Sequence, residues 1–208
     1  MPDFTHENVA VAEGFAIVCG VDEAGRGPWA GPVVAAAAIL DLDNLSVELR
    51  CRIDDSKKLK PAAREALFDL IVGAARTGLG ITSVEEIDAL NILEASMTAM
   101  ARAVIDLGPP PPDMALIDGN RTPSLACPAR AIVRGDTLCL SIAAASIIAK
   151  VSRDRLMVQL DALYPGYGWA RNAGYGTAEH QSALAALGVA PAHRRSFRPV
   201  RNILGKKS

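Results

Sequence analysis

The feature that most constrains the fold of this chain is a short apolar strand that runs into two adjacent acidic residues. Residues 16–19 are apolar, Asp22 and Glu23 follow, and residues 25–27 read glycine-arginine-glycine. Carboxylates beside such a turn can hold a hard cation while the turn holds a phosphate. Neighbouring residues of a strand point to opposite faces, so both acids can serve one site only if the chain turns at Glu23. The alternative is a capped hairpin turn with two solvated acids.

Short apolar runs alternate with helical patterns along the rest of the chain. Residues 33–40 predict a strand antiparallel to the first, and Ser83 with Glu86 fits a capping box that starts a long helix. The same reasoning predicts strands at 78–82, 114–117 and 131–133, and helices at 61–76, 83–107, 141–160 and 178–187. This alternation is typical of an α/β fold.

Size and composition suit one globular unit with an appendage. The chain has 208 residues, of which 50% are hydrophobic and 22% charged. The composition shifts near residue 160, which predicts a main domain at 1–160 and an extension at 161–208 that packs on it. The four cysteines show no C-x-x-C spacing, and we find no signal peptide or membrane-spanning run. We therefore expect a cytoplasmic protein with no membrane contact.

The positive charge is concentrated, although the net charge is only −1. Six basic residues and no acid lie between residues 191 and 208, and smaller basic groups lie at 57–60 and 150–155. Basic clusters near an acidic site favour phosphate and nucleic-acid binding. The alternative for the tail is a solvated end with no ligand.

Four acids follow predicted strands or glycine turns, namely Asp22, Glu23, Asp118 and Asp136. Carboxylates gathered in one cleft repel each other strongly, and a divalent cation would relieve that repulsion. Because only oxygen ligands are on offer, Mg²⁺ or Mn²⁺ fits better than Zn²⁺. Two such ions are the usual arrangement for phosphodiester cleavage. Asp118 as a plain turn residue and Asp136 as a helix cap remain the alternatives.

Seven motifs, in order and at matching spacing between about residues 20 and 200, resemble the bacterial ribonuclease HII family. They are 22–28 (DEAGRGP), 55–59 (DSKKL), 118–121 (DGNR), 135–136 (GD), 144–151 (AASIIAKV), 174–177 (GYGT) and 193–197 (HRRSF). The resemblance implies a ribonuclease H-like fold, with a mixed central sheet flanked by helices and a C-terminal helical extension. It also implies an endonuclease that hydrolyses the RNA strand of RNA/DNA hybrids and nicks at single ribonucleotides in duplex DNA, leaving a 3′-hydroxyl and a 5′-phosphate.

Residue roles follow from the same resemblance. It implies that the four acids are the catalytic ligands of Mn²⁺ or Mg²⁺, and that Gly25, Arg26 and Gly27 read the ribonucleotide through backbone contacts. Tyr175 would pack on the sugar at the junction, where the 2′-hydroxyl distinguishes RNA from DNA. The other implied substrate-binding residues, most of them phosphate contacts, are Lys57, Lys58, Asn120, Ser146, Lys150, Arg194 and Arg195. His193 is interpreted as structural rather than as a metal ligand.

The resemblance also carries departures and partners. The family often has a lysine at the position of Ala173 and a smaller aliphatic residue at that of Trp29. The expected partners are RNA/DNA hybrids and ribonucleotide-containing duplex DNA, bound by a monomer, with a replication clamp as a further partner of the tail from Asn202. Two alternatives stay open: a nucleic-acid-binding module that does not cut, and a nucleotide phosphatase or kinase, although no G-x-x-x-x-G-K-[ST] motif is present.

Overall fold

The computed structural model describes residues 1–41, 43–54, 56–57 and 59–205. The described residues form a five-stranded sheet in the order β3-β2-β1-β4-β5. The strands are β1 (Val18–Ala24), β2 (Val33–Ile39), β3 (Arg76–Thr82), β4 (Met114–Asp118) and β5 (Ala129–Ile132). The sheet is mixed: β2 pairs antiparallel with β1 and β3, whereas β4 pairs parallel with β1 and β5. The expected antiparallel return of the second strand and the mixed α/β architecture are both confirmed.

Helices cover both faces of this sheet. They are α1 (Thr5–Ala12), α2 (Val47–Arg52), α3 (Pro61–Ala74), α4 (Val84–Leu90), α5 (Ile92–Asp106), α6 (Gly135–Leu138), α7 (Leu140–Leu163), α8 (Trp169–Asn172), α9 (Ala178–Leu187) and α10 (Arg198–Leu204). Helix α7 packs on one face against the buried side chains of Ala36 and Ala38. Helix α5 packs on the other face against Val21, Ala35 and Ala37. Alanines on β2 keep both helices close to the sheet.

Gly20 fixes the position of α7 over the centre of the sheet. A Cβ atom at Gly20 would lie 2.2 Å from the carbonyl carbon of Ser141 and 2.3 Å from the amide nitrogen of Ile142. Only glycine therefore allows the first turn of α7 to touch β1. This contact carries the following turns of α7, with Ser146 and Lys150, across the end of β1 where the two acids lie.

The predicted single helix from 83 to 107 is wrong. The capping box is present, since Glu86 N donates to Ser83 Oγ and Ser83 N donates to a Glu86 carboxylate oxygen. The helix breaks at Asn91, whose φ of 75° is left-handed, and the Asn91 side chain then caps α5 through the amides of Leu93 and Glu94. The apolar stripe along α5 is nevertheless core, with Met100, Val104 and Leu107 buried.

The C-terminal segment packs its own apolar cluster against the loop after β1. Ala30, Met157, Trp169, Leu184 and Val200 are among the buried members of this cluster. Helix α7 runs across residue 160 without interruption, and the division of the chain at that residue stays a prediction. No helix in the described part of the chain is long and apolar enough to cross a membrane.

Candidate active site

Parallel pairing of β1 with β4 brings two of the predicted acids to the same edge of the sheet. Val21 is aligned with Ile117, so Asp22 and Asp118 occupy the next position on each strand. Asp22 is 4% exposed, and its Oδ1 accepts a hydrogen bond of 2.7 Å from the Glu23 amide. The Ser146 hydroxyl from α7 lines the same cavity and lowers the pKa of Asp22, against the larger effect of burial. Asp22 is therefore held rigidly at the floor of a cavity.

Glu23 joins the same cavity, although the chain does not turn there. Strand β1 continues through Ala24, and Glu23 is paired with Ala35, which packs against α5 on the opposite face from Asp22. The expectation that one site requires a turn at Glu23 is wrong. At the end of a strand, the long glutamate side chain reaches the cavity that Asp22 enters from the other face.

Asp136 lies beside Asp118 on the far side of the cavity. The Asp136 amide donates to Asp118 Oδ1 at 3.3 Å, and a left-handed Arg134 with φ of 60° turns the chain into α6 just before it. The buried Asp136 carboxylate accepts a hydrogen bond of 2.7 Å from Lys57 Nζ. The fold thus brings all four predicted acids into one neighbourhood.

Crowding and burial disfavour ionisation of these acids. Burial raises the pKa of Asp22 well above its ordinary value, and the charges of Glu23 and Asp118 raise it further. Burial also raises the pKa of Glu23, against the opposing effect of the Arg26 guanidinium 3.2 Å away. The pKa of Asp118 is raised by burial and then by Asp136. A cation in the cavity would favour the ionised forms of all three carboxyls.

The donor set suits a hard divalent cation. Every candidate ligand is a carboxylate oxygen, and Glu23 Oε2 is buried without a hydrogen-bond partner among the described residues. A buried carboxylate oxygen with no protein donor, in a cavity shared with Asp22 and Asp118, fits a ligand of such a cation. Within residues 1–41, 43–54, 56–57 and 59–205, no three His, Cys, Asp or Glu side chains already form a cluster that could hold a metal ion. Instead, Lys57 pairs with Asp136.

The glycine-arginine-glycine turn forms one wall of the cavity. Gly25 has φ of 99°, and a Cβ atom there would lie 2.0 Å from Nε of Arg153, which is buried directly beneath it. Gly27 faces the ring of Tyr175, because a Cβ atom on Gly27 would lie 3.4 Å from Tyr175 Cε1. The cavity has a volume of about 320 Å³ and is lined by residues of five separate segments: 22–27, Ser56–Lys57, Asp118, three residues of α7 (Ser146, Lys150 and Arg153) and Tyr175.

Arg194 does not lie where the sequence placed it. The predicted phosphate ligand is fully buried, and its guanidinium donates to four backbone carbonyls of the loop that follows β1: Gly25 at 2.5 Å, Arg26 at 2.9 Å, Gly31 at 2.9 Å and Pro32 at 3.2 Å. The prediction for this residue is corrected, because its guanidinium is buried, does not line the cavity, and gives four of its five N–H donors to carbonyls. Arg153, which belongs to the basic group at 150–155, is buried in the same way.

Most of the remaining predicted substrate residues lie at the cavity or on the exposed surface. Tyr175 is 48% exposed at the cavity mouth, and Lys150 lines the cavity while its Nζ donates to Asp154 at 2.5 Å. Asn120 and Arg195 are exposed, Asn120 just after Asp118 and Arg195 at a turn held by Asp88. The predicted role of Lys58 lies outside the described residues.

His193 belongs to a buried cluster of rings with Tyr167, Trp169 and His180. Trp169 Nε1 donates to His180 Nε2 at 3.1 Å, and the two histidine Nε2 atoms are 3.1 Å apart. His180 Nδ1 lies 3.0 Å from the Tyr175 carbonyl oxygen, and the Ala190 amide donates to His193 Nδ1. These contacts fit two neutral rings, with His193 as donor to His180. The structural interpretation of His193 fits these contacts.

Sequence reasoning missed Ser56, Arg153 and His180 as parts of the site. Ser56 is buried and its hydroxyl lies 2.9 Å from that of Ser146, so it supports a residue that lines the cavity together with Asp22. The spacing of Arg153 was the usable signal, because Arg153 lies seven residues after Ser146 and three after Lys150, on the same helix face. No comparable signal marks His180.

Comparison with known proteins gives one consistent family. The family model described as Ribonuclease HII matches residues 19–200. Ribonuclease HII of Cereibacter sphaeroides is 59% identical over 204 residues, covering 98% of this chain and 94% of that protein. The crystal structure of the ribonuclease H2 from Pyrococcus horikoshii OT3 superposes with a TM-score of 0.73 at 30% identity, covering 91% of this chain and 98% of that one.

A second solved structure is similar to the same extent. The structure of the PCNA:RNase HII complex from Archaeoglobus fulgidus matches with a TM-score of 0.72 at 27% identity, over 88% of this chain and 95% of that one. The ribonuclease H-like fold is thereby confirmed, and a binding module that does not cut is not favoured. The chain belongs to the ribonuclease HII family, the divalent-metal-dependent endonucleases that hydrolyse RNA in RNA/DNA hybrids.

Proposed function

We propose that this protein nicks duplex DNA at single embedded ribonucleotides as well as cutting longer hybrids, with Asp22, Glu23, Asp118 and Asp136 as the catalytic carboxylates. The observation that carries the proposal is the buried Glu23 Oε2, which has no hydrogen-bond partner in the described residues and shares one cavity with Asp22 and Asp118. Water or a protein donor would normally satisfy such an atom. A cation-binding role accounts for an acid left in this state.

The four carboxylates are the proposed ligands of Mn²⁺ or Mg²⁺. When bound, the metal supplies a water of lowered pKa and stabilises the negative charge that develops on the phosphate. The Asp22 carboxylate is already oriented for this role, because its Oδ1 accepts a hydrogen bond from the Glu23 amide. Lys57 Nζ lies 2.7 Å from Asp136 Oδ2. When Asp136 binds the metal, Lys57 is proposed to leave this carboxylate and to contact a substrate phosphate.

Recognition is proposed to come from the wall that the glycine-arginine-glycine turn and Tyr175 form. The amides of Arg26 and Gly27 have no acceptor in the described part of the chain, and Tyr175 presents an exposed ring edge beside Gly27. A 2′-hydroxyl oxygen can accept from such amides while the ring packs on the sugar, and a deoxyribose offers no such acceptor. Lys150 and the exposed Arg195 are proposed contacts of backbone phosphates.

The proposed reaction is hydrolysis with in-line attack of water on the phosphodiester. The new bond joins the water oxygen to phosphorus, and the bond from phosphorus to the 3′-oxygen breaks. The products are then a 5′-phosphate and a 3′-hydroxyl, which takes up a proton. The four carboxylates are acceptors for the proton that water loses.

Three smaller proposals concern the setting of this activity. The protein is proposed to act as a monomer in the cytoplasm, a compartment that its free cysteines suit. The tail from Asn202 is proposed to contact a replication clamp. The archaeal relative solved in complex with PCNA supports this partner.

A direct test uses duplex DNA with one ribonucleotide, an identical all-DNA duplex, and incubation with Mn²⁺, Mg²⁺ or EDTA. We expect metal-dependent nicking only beside the ribonucleotide, with a 3′-hydroxyl and a 5′-phosphate at the nick. Glu48→Gln, a change at a side chain that is 82% exposed, is the control variant. Binding without nicking in either metal would contradict the proposed catalytic role.

A further inference from the structure

The two buried arginines beneath the glycine-arginine-glycine turn are unusual for a protein interior. Arg153 is 1% exposed and Arg194 0% exposed, and no acid forms a salt bridge with either among the described residues. Burial lowers the pKa of Arg153 to about 10 and that of Arg194 to about 9, and Arg153 contributes to the second shift. Two buried like charges are costly unless every donor is satisfied. Backbone carbonyls accept four hydrogen bonds from Arg194 and three from Arg153 here.

The carbonyls they bind belong to the loop that reads the substrate. Arg194 binds the carbonyls of Gly25 and Arg26, and Arg153 binds those of Ala30 and Pro32. Arg153 also donates to the carbonyl of Ala173 at 3.0 Å, close to Tyr175. The pair therefore ties the loop wall and the tyrosine wall of the cavity to one rigid support.

The direction of these carbonyls fixes the direction of the amides. In a trans peptide the C=O and N–H bonds point in opposite directions. Since the Gly25 and Arg26 carbonyls both point at Arg194, the amides of Arg26 and Gly27 both point away from it, toward the exposed side of the loop. Two successive amides aimed in one direction form an anion- and oxygen-binding concavity. Neither amide has another acceptor in the described residues.

We propose that Arg194, supported by Arg153, is a specificity-determining positioning residue that aims the Arg26 and Gly27 amides at the ribose 2′-hydroxyl. This inference rests on the proposed function. Arg194 does not touch the substrate and acts only through the loop. Its planar fork spans two consecutive carbonyls, which a lysine ammonium cannot do with fixed geometry.

The test compares binding to two duplexes that differ by one hydroxyl group. In an Asp118→Asn background, the dissociation constants are measured for duplex DNA with one ribonucleotide and for the identical all-DNA duplex. We expect Arg194→Met to reduce the ratio of the two constants by about tenfold or more, because oriented amides confer the preference. The affinity for all-DNA duplex should change less than about threefold, since the exposed cations remain.

Two further variants separate positioning from stability. Arg194→Lys keeps the charge, and we expect it to fold and to lose most of the same preference; it decides the question if Arg194→Met does not fold. Leu184→Ala weakens the same C-terminal cluster, where Leu184 is 1% exposed, and should leave the ratio unchanged. An unchanged ratio in folded Arg194→Lys and Arg194→Met would overturn the inference.

An independent readout does not require the proposed substrate. The backbone amide resonances of Arg26 and Gly27 should shift and broaden in Arg194→Lys, while those of Gly73 in α3 stay unchanged. Unaltered Arg26 and Gly27 resonances would overturn the positioning role. If the unsubstituted loop shows no preference for the ribonucleotide while these resonances respond to the substitution, the proposed function fails and the positioning role stands.

Discussion

The Arg153 guanidinium lies directly beneath Gly25, so that a Cβ atom on Gly25 would be 2.0 Å from Arg153 Nε. Gly25 also has φ of 99°, a conformation that strains any other residue. We expect Gly25→Ala to lower kcat/KM for ribonucleotide nicking by about tenfold or more, because the loop must lift off its support. Gly73→Ala in α3, where nothing lies within 4 Å, is the matched control and should leave kcat/KM unchanged. Equal kinetics in both variants would contradict this view of the loop.

Removing the charge of Asp22 should separate activity from stability. We expect Asp22→Asn, and likewise Asp118→Asn, to reduce kcat by at least about 100-fold, because a metal ligand is worth several kcal/mol in the transition state. In EDTA, Asp22→Asn should raise the free energy of unfolding at neutral pH, since burial raises the pKa of Asp22 and so disfavours its ionised form in the folded protein. Denaturant unfolding measures this directly.

The same residue predicts a pH dependence with a defined sign. The folded pKa of Asp22 lies above the unfolded one, so the metal-free protein gains stability as the pH falls through the raised pKa. Asp22→Asn removes this contribution, and its unfolding free energy should vary less with pH in that window. Identical pH profiles would show that Asp22 is not buried as described.

His193 predicts a pH dependence of stability with the opposite sign, because its contribution lowers the free energy of unfolding as the pH falls. Burial, followed by the neighbouring His180, lowers the pKa of His193 from 6.5 to about 4. Below pH 6.5 the unfolded chain therefore binds a proton at His193, whereas the folded protein does not until about pH 4. The free energy of unfolding falls by about 3 kcal/mol between pH 6.5 and 4. We expect His193→Asn to flatten this slope in urea unfolding, whatever its stability at pH 7. A slope as steep as that of the unsubstituted protein would contradict the prediction.

Tyr175 should matter more for one ribonucleotide than for a long hybrid. We expect Tyr175→Ala to reduce kcat/KM on a single-ribonucleotide duplex by roughly 10- to 100-fold, given about 1–3 kcal/mol for stacking on an aromatic ring. Tyr175→Phe keeps the ring and serves as the matched control. The measurement is the ratio of kcat/KM on the two substrates, and an unchanged ratio in Tyr175→Ala would argue against a role at the junction sugar.

The sequence allowed the strand-end acids to be found because strand periodicity and apolar runs are local properties. Asp118 follows an apolar run, and the parallel pairing of β1 with β4 then places Asp118 beside Asp22. The break at Asn91 carried a local signal that was overlooked, since Asn91 with Glu94 three residues later is itself a helix-start pattern.

Arg194 shows what local reasoning could not reach. An arginine in a basic tail looks the same whether it faces phosphate or lies buried, and only the tertiary fold distinguishes the two. Its carbonyl partners are 162 to 169 residues away in sequence. The face of Glu23 is a similar case, because the reach of a side chain at a strand end depends on where the neighbouring strand and helix stop.

The distance in sequence between Arg194 and the loop it supports has a consequence for biosynthesis. The four carboxylates leave the ribosome well before Arg194 does, and the loop they adjoin has its support only after residue 194 has emerged. A nascent chain, or a product shortened by a protease before that residue, would carry the acids without aimed amides. The proposed selectivity for a ribonucleotide would then be complete only after the carboxylates have been synthesised and residue 194 has emerged.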